Sequence, residues 1–433
     1  IALGLFLLFI VTVTFNITCA YEAEVMCRAE AVVHQRLDRQ HQIQQSPEED
    51  LKIKHHAFSV VELCEIFAGK GVRQIYIILV TILVIGGSMS NVTIFADSLS
   101  AQVPLPFLNG GSVCLEHHSP GCYELYLFYV LVMACWAIPL SVMDIQEMAI
   151  LQVTLTLARI AVAIVMVATA IYSYISPDKL FDLSDVHVEE APMANYGHFG
   201  PMLCTAAYTQ LLNSYVTIIV QPLQNKSSLG RVIASGYVCS FVAFCIFGIS
   251  VALAFGSATA ASSNVNWQRF TGGGEGVTIE NRPIWATLIS DIVLIFPVID
   301  VMSAFPLNIH NLATNLMAAV YHDRVDRAER DKTVRKFFRG VSAAVPLVVA
   351  SLITKLDTIL DYSGTVGILL AMVIPPYLSY VSERGTKELL DLRSVNTAYT
   401  TIFSRPPFLL VVAVLGFTLF AAAIINNIFK GFG

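Results

Sequence analysis

Phe199 to Ser228, FGPMLCTAAYTQLLNSYVTIIVQPLQNKSS, decides how the rest of the chain is read. It is long enough to cross a bilayer and carries no charged side chain before Lys226. Gln210, Asn213, Ser214, Thr217 and Gln221 nevertheless recur at i, i+3, i+4, i+7 and i+11, one face of a continuous helix. Polar side chains are costly in hydrocarbon, so such a stripe faces either neighbouring helices or a water-filled path. Read as a path, Tyr208, Gln210, Asn213, Ser214 and Thr217 are candidate solute-binding residues. Ser88 and Asn91 of the apolar run 74–97 are the candidates for the facing wall. Read as packing, the same residues hydrogen-bond between helices.

The composition agrees with a membrane setting. Hydrophobic residues make up 55% of the chain, charged residues 13%, and the mean hydropathy is +0.66. Soluble domains carry about 25% charged residues. No basic patch is interleaved with aromatics, so the expected partner is the lipid bilayer and not nucleic acid. Apolar runs of membrane length occupy about 1–21, 74–97, 123–143, 149–173, 200–222, 231–255, 284–309, 340–354, 362–381 and 407–428. These ten spans form one transmembrane domain over 1–433, all-α in class. The chain opens inside an apolar run without an initiator Met and reads as a fragment.

Orientation follows from the basic residues. With 22–73 in the cytosol, the cytosolic loops hold 20 Lys and Arg, the opposite side five, and Arg159 lies within a span. Ile1 then starts at the non-cytosolic face. The segment 22–56 is charged and His/Gln-rich and reads as a flexible cytosolic loop, followed by an amphipathic stretch with a Gly69-Lys70-Gly71 break. The segment 322–339 reads as a charged cytosolic loop with helical character. Cys114 and Cys122, eight apart in an outward-facing loop, are expected to form a disulfide.

Three ionisable residues lie at membrane depth: Arg159, Asp291 and Asp300. Asp300 and Ser303 share a helical face. At 1.5 Å per residue the depths of Arg159 and Asp300 differ by about 10 Å, a gap a long arginine spans. A buried Arg159–Asp300 pair is therefore expected. Asp291 or a carbonyl is the alternative partner for the arginine. No metal-ligand spacing, nucleophile elbow or cofactor motif is present, which points away from an enzyme.

Four stretches carry a family resemblance. They are SVVELCEIFAGKG (59–71) leading into VIGGSMSNVTIFADSLS (84–100); FG…Y…PLQNKSS (199–228); LIFPVIDVMSAFPL (294–307); and ILDYSGTVGILLAMVIPPYLSY (359–380). In order and spacing the chain resembles the amino acid/auxin permease family, whose fold is similar to that of the bacterial leucine transporter. The resemblance implies an inverted-repeat helix bundle and a secondary transporter of amino acids or similar small solutes. It also implies that the first of eleven spans is missing. The sixth span's centre, Tyr208 to Ser214, has no Gly or Pro to enforce the break seen in such folds. In sodium-coupled relatives a hydroxyl residue follows Phe-Pro in the eighth span, about where Asp300 stands. In some proton-coupled relatives of the wider fold a basic residue on the fifth span replaces the sodium ion, and Arg159 lies on the corresponding span. Coupling by H⁺ in preference to Na⁺, through Arg159, Asp300 and Ser303, is what the resemblance implies. The alternative is a non-transporting sensor or scaffold on the same fold, with 22–56 as its partner-binding arm.

Overall fold

The computed structural model describes residues 1–41, 53, 58–109, 114, 120–143, 149–176, 180–184, 188–220, 223, 225–260, 262–274, 277–321, 330–391 and 394–431. The helices are α1 (Ala2–His41), α2 (Val60–Gln102), α3 (Pro120–Val142), α4 (Ala149–Ile175), α5 (Phe199–Thr209) and α6 (Val216–Val220). They continue with α7 (Leu229–Phe255), α8 (Ile284–Tyr321), α9 (Lys332–Leu352), α10 (Leu356–Ile368), α11 (Ile374–Leu390) and α12 (Pro406–Gly431). Among the described residues eight helical stretches are long and apolar enough to span a membrane. The fold is an all-α polytopic bundle, and the only β pairing among the described residues is the isolated bridge Phe181–Phe270.

Two of the ten expected spans do not form long apolar helices, for separate reasons. The run 200–222 is interrupted between α5 and α6. The run 340–354 is the apolar second half of α9, whose first turns, KTVRKFFR, are basic. A larger correction concerns 22–56. It was expected to be a flexible loop, yet α1 continues unbroken to His41, and Glu24 through Val32 are buried. Glu24 and Arg28 pair within the fold, and Glu22 and Glu30 are enclosed beside them; residues 42–52 and 54–56 lie outside the described residues. Of the charged segment 322–339, residues 322–329 lie outside the described residues. Asp331 caps α9, its Oδ1 accepting from the Thr333 and Val334 N–H groups, and 332–339 are helical.

The chain divides into two compact units. The first comprises Val84–Ala194 and Ala243–Leu360, with Ile1. Its core is built by α3, α8 and α9 around Tyr126, Phe305 and Ala343. Small residues on α9, Ser342, Ala343 and Ala350, allow close helix approach. The Tyr126 hydroxyl donates to the Ala350 carbonyl at 3.0 Å. At the other end of α3, Arg339 donates to the last carbonyls, Val142 and Met143, at 3.3 and 2.9 Å. A second cluster packs Phe181, Phe255 and Phe270 around the fully buried Trp267, whose indole N–H donates to Thr169 of α4 at 3.0 Å. Cys114 and Cys122 are joined, with Cα atoms 5.6 Å apart, and both are buried against that unit's first core.

The second unit comprises Ala2–Leu83, Asn195–Val242 and Asp361–Gly433. Its longest contact runs between α1 and α11. Within α2 the helix bends at Gly69, where φ is +82°, so the Gly69-Lys70-Gly71 signal does mark a break. Between α10 and α11 lies one wide π-turn, Leu369–Val373, which packs on α12. Gly364 of α10 sits against the backbone of α5: a Cβ there would lie 2.0 Å from the Cys204 carbonyl oxygen.

Gly364→Ala is therefore expected to force these two backbones apart and to lower stability by about 1–3 kcal/mol. Gly236→Ala on α7, where a Cβ would meet nothing within 4 Å, should be neutral or slightly stabilising. Thermal unfolding of the purified protein in detergent compares the two, and equal midpoints would contradict the packing. For the cysteines, mass mapping without reductant should recover Cys114 and Cys122 in one cross-linked peptide pair.

Candidate functional site

The helix that begins at Phe199 ends at Thr209. Gln210 (φ −99°, ψ 5°) and Leu212 (φ −105°, ψ −16°) flank the interruption, Asn213–Tyr215 form a single 3₁₀ turn, and helix resumes at Val216. This corrects the reading of a continuous helical stripe. Gln210, Asn213 and Thr217 are buried but do not share the face of one straight helix. Ser214 lies in the 3₁₀ turn, Tyr208 is half-buried on the last turn of α5, and Gln221 lies outside the described residues.

Side chains, not Gly or Pro, hold the interruption. The Asn213 amide donates from Nδ2 to the Thr18 hydroxyl of α1 at 3.0 Å, and that hydroxyl donates onward to the Phe15 carbonyl at 3.0 Å. The Tyr237 hydroxyl of α7 bonds the Leu212 backbone and lies 3.4 Å from the Cys19 thiol. Asparagine in this position competes with the helical ladder, because its side chain offers local alternatives to backbone bonding. The backbone groups released at such a break need partners in a membrane, and Tyr237 meets one of them at Leu212.

Glu22 of α1 faces the Asn213 side chain and is 3% exposed. Its Oε2, the Asn213 Oδ1 and the Gln210 Nε2 are buried without a hydrogen-bond partner among the described residues. Glu22 and Asn213 thus meet with open hydrogen-bonding capacity at the interrupted membrane helix, and Gln210 adds a further open donor at the break. One turn and more along α1, Glu24 and Arg28 pair with one another, while Arg28 Nε and Glu30 Oε2 have no hydrogen-bond partner among the described residues. Arg28 donates to Glu24 Oε2 at 2.8 Å, to the Ser379 carbonyl at 2.9 Å and to the Ser382 hydroxyl at 3.0 Å. The Ser404 hydroxyl donates to the other Glu24 oxygen. These contacts tie α1 to α11 and to the turn before α12.

Sequence reasoning did not single out Glu22. A signal was present: no Gly or Pro occurs between Leu5 and Ser46, and Glu24 and Arg28 stand four apart in the orientation that suits a helix. The second unit also holds a cavity of about 420 Å³ on another side of α1, lined by Asn16, Ala20, Arg231, Tyr399 and Thr401 among others. There the Tyr399 hydroxyl donates to the Lys226 carbonyl, and burial pushes its phenol up to about 12.

The remaining candidates belong to the first unit. Ser88 is buried with no partner for its hydroxyl among the described residues, and Asn91 is half-buried. Arg159 and Asp300 do pair, at 2.6 Å between a guanidinium nitrogen and Oδ1. The pair is not buried as expected: the Arg159 side chain is 54% exposed and that of Asp300 19%. The arginine reaches across the depth difference from the surface of α4 instead of entering the core. Ser303 turns its hydroxyl back to the Asp300 carbonyl at 2.8 Å, and its own carbonyl accepts from Gln152 at 3.0 Å. Asp291, the alternative partner, accepts from Gln102 at 2.5 Å.

Fold and site together define an integral, multi-pass membrane protein with an interrupted helix beside buried polar groups. No family model matches the chain. It is similar to the transmembrane protein 104 homolog of Dictyostelium discoideum, with 20% identity over 386 residues, covering 86% of this chain and 71% of that protein.

The Glu24–Arg28 pair gives a direct test of the buried network. Arg28→Ala should cost about 3–5 kcal/mol by leaving Glu24 buried without its partner. The double variant Glu24→Gln/Arg28→Met should recover much of that loss. Detergent unfolding midpoints of the two variants decide it, and equal losses would show that the pair is not the cause.

Proposed function

We propose that this protein is a secondary active transporter that moves amino acids or related small solutes across a membrane, coupled to an ion, with a proton favoured over sodium. The observation that carries the reading is the interruption between α5 and α6, with Gln210 and Asn213 buried at it and hydrogen-bonding capacity unused. Discontinuous membrane helices place polar backbone and side chains at the depth where a solute must be held. The resemblance to the amino acid/auxin permease family supports the same reading, with Tyr208, Gln210, Asn213, Ser214 and Thr217 as the solute-side residues. The sensor alternative relied on 22–56 as a free arm. Burial of Glu24 through Val32 takes the first part of that segment out of such an arm; residues 42–52 and 54–56 lie outside the described residues.

Coupling is assigned to the Arg159–Asp300 pair. Protonation of Asp300 would release Arg159 from the pair. The test is uptake of a panel of labelled amino acids into proteoliposomes, with an imposed proton gradient compared with a sodium gradient. Proton-stimulated accumulation is expected for at least one solute. Gln210→Ala should lower it about 10-fold or more, the loss of a hydrogen bond worth 1–3 kcal/mol. Asp300→Asn should abolish accumulation while leaving exchange partly intact. Uptake that follows sodium and ignores Asp300→Asn would refute the coupling, and no uptake of any amino acid would refute the transport reading.

A further inference from the structure

A carboxyl group enclosed in low-dielectric surroundings needs a proton or a positive partner. Among the described residues no positive side chain acts on Glu22, and Asn213 is the hydrogen-bonding side chain that faces it. The nearby basic residue on its helix, Arg28, is committed to Glu24, Ser379 and Ser382. Glu383 of α11 acts on Glu24 and Arg28. The titratable groups that face Glu22 are Cys19 on its own helix, Cys64 on α2 and Tyr237 on α7. All three are neutral at physiological pH in their ordinary forms, so none supplies a counter-charge.

The open atoms next to Glu22 have a consistent chemistry. Glu22 Oε2 and Asn213 Oδ1 are both oxygens, both acceptors, both buried and both without a partner among the described residues. Thr18 Oγ1, on the same helical face of α1, already binds the Asn213 amide and holds it in place. Two acceptor oxygens, one of them anionic once Glu22 gives up its proton, suit a small cation that can be coordinated or can donate hydrogen bonds.

We infer that Glu22 and Asn213 form a binding site for a monovalent cation, an alkali ion or a primary ammonium group, for which a proton on Glu22 competes. The site is separate from the Arg159–Asp300 pair, which belongs to the other unit. Its role as a coupling or amine-recognition site rests on the transport reading, but cation binding itself can be measured without transport, so the two can fail separately.

The experiment is thermal unfolding of the full chain, purified in detergent, at constant ionic strength in sodium, potassium, methylammonium or N-methylglucamine chloride, at pH 6 and pH 8. At pH 8 at least one of the three small cations should raise the midpoint over bulky N-methylglucamine by roughly 2 °C or more. The shift should shrink at pH 6 and vanish in Glu22→Gln and in Asn213→Ala. An alkali ion and methylammonium are told apart by which salt acts. Three outcomes overturn the inference: no small cation acts at either pH; the shift survives in both variants; or stability follows pH alone, with no cation effect. The wild-type salt series needs no variant, so a poorly folding Glu22→Gln protein leaves the inference open to refutation.

Discussion

Inside a bilayer every backbone N–H and C=O needs a partner within the protein, and the interruption between α5 and α6 is where this chain meets that demand most locally. Gln210 still bonds back to Ala206, and Tyr215 to Leu212, so the turn stays half-helical. Tyr237 on α7 meets the Leu212 backbone from outside the segment, and the Asn213 side chain joins the turn to Thr18 on α1. The break is therefore a property of three helices, and its position is fixed by side chains that lie far apart in sequence.

The charged residues show three ways of managing charge in this setting. Glu24 and Arg28, almost completely enclosed, are satisfied by one another and by hydroxyls and a carbonyl of neighbouring segments. That network ties α1 to α11 and gives the helix its long buried extension. Arg159 keeps much of its side chain exposed and reaches inward to Asp300, the behaviour expected of a long cation with an apolar stem. Glu22 has neither a counter-charge nor a full set of hydrogen bonds. Fully enclosed charge is stabilising only when every partner is present. Glu24 and Arg28 thus form a structural pair, and Glu22 is the carboxyl group left outside it.

Much of the architecture was legible because hydrophobic length in a membrane chain has one main structural meaning. The kink at Gly69, the joined Cys114 and Cys122, and the Arg159–Asp300 contact could all be read from residue type and spacing. The extension of α1 could not, because Glu22, Glu24, Arg28 and Glu30 look like loop residues until partners from positions near 380 and 404 are known. The interruption was missed for the opposite reason. Nothing between Tyr208 and Ser214 forbids a helix, and the contacts that break it come from residues 18 and 237.

That absence of Gly and Pro has a mechanical meaning. A proline removes a donor and clashes with the preceding turn, so a break made by proline is fixed by covalent structure. Here the torsions of Gln210 and Leu212 stay close to the helical region, at φ −99° and −105° with ψ 5° and −16°. The Asn213–Thr18 bond and the approach of Tyr237 to the Leu212 backbone join the interruption to α1 and α7. A ligand or proton that changes those contacts acts directly on whether α5 and α6 are one helix or two. Asn213, which joins the interruption to α1, is also the residue that faces Glu22.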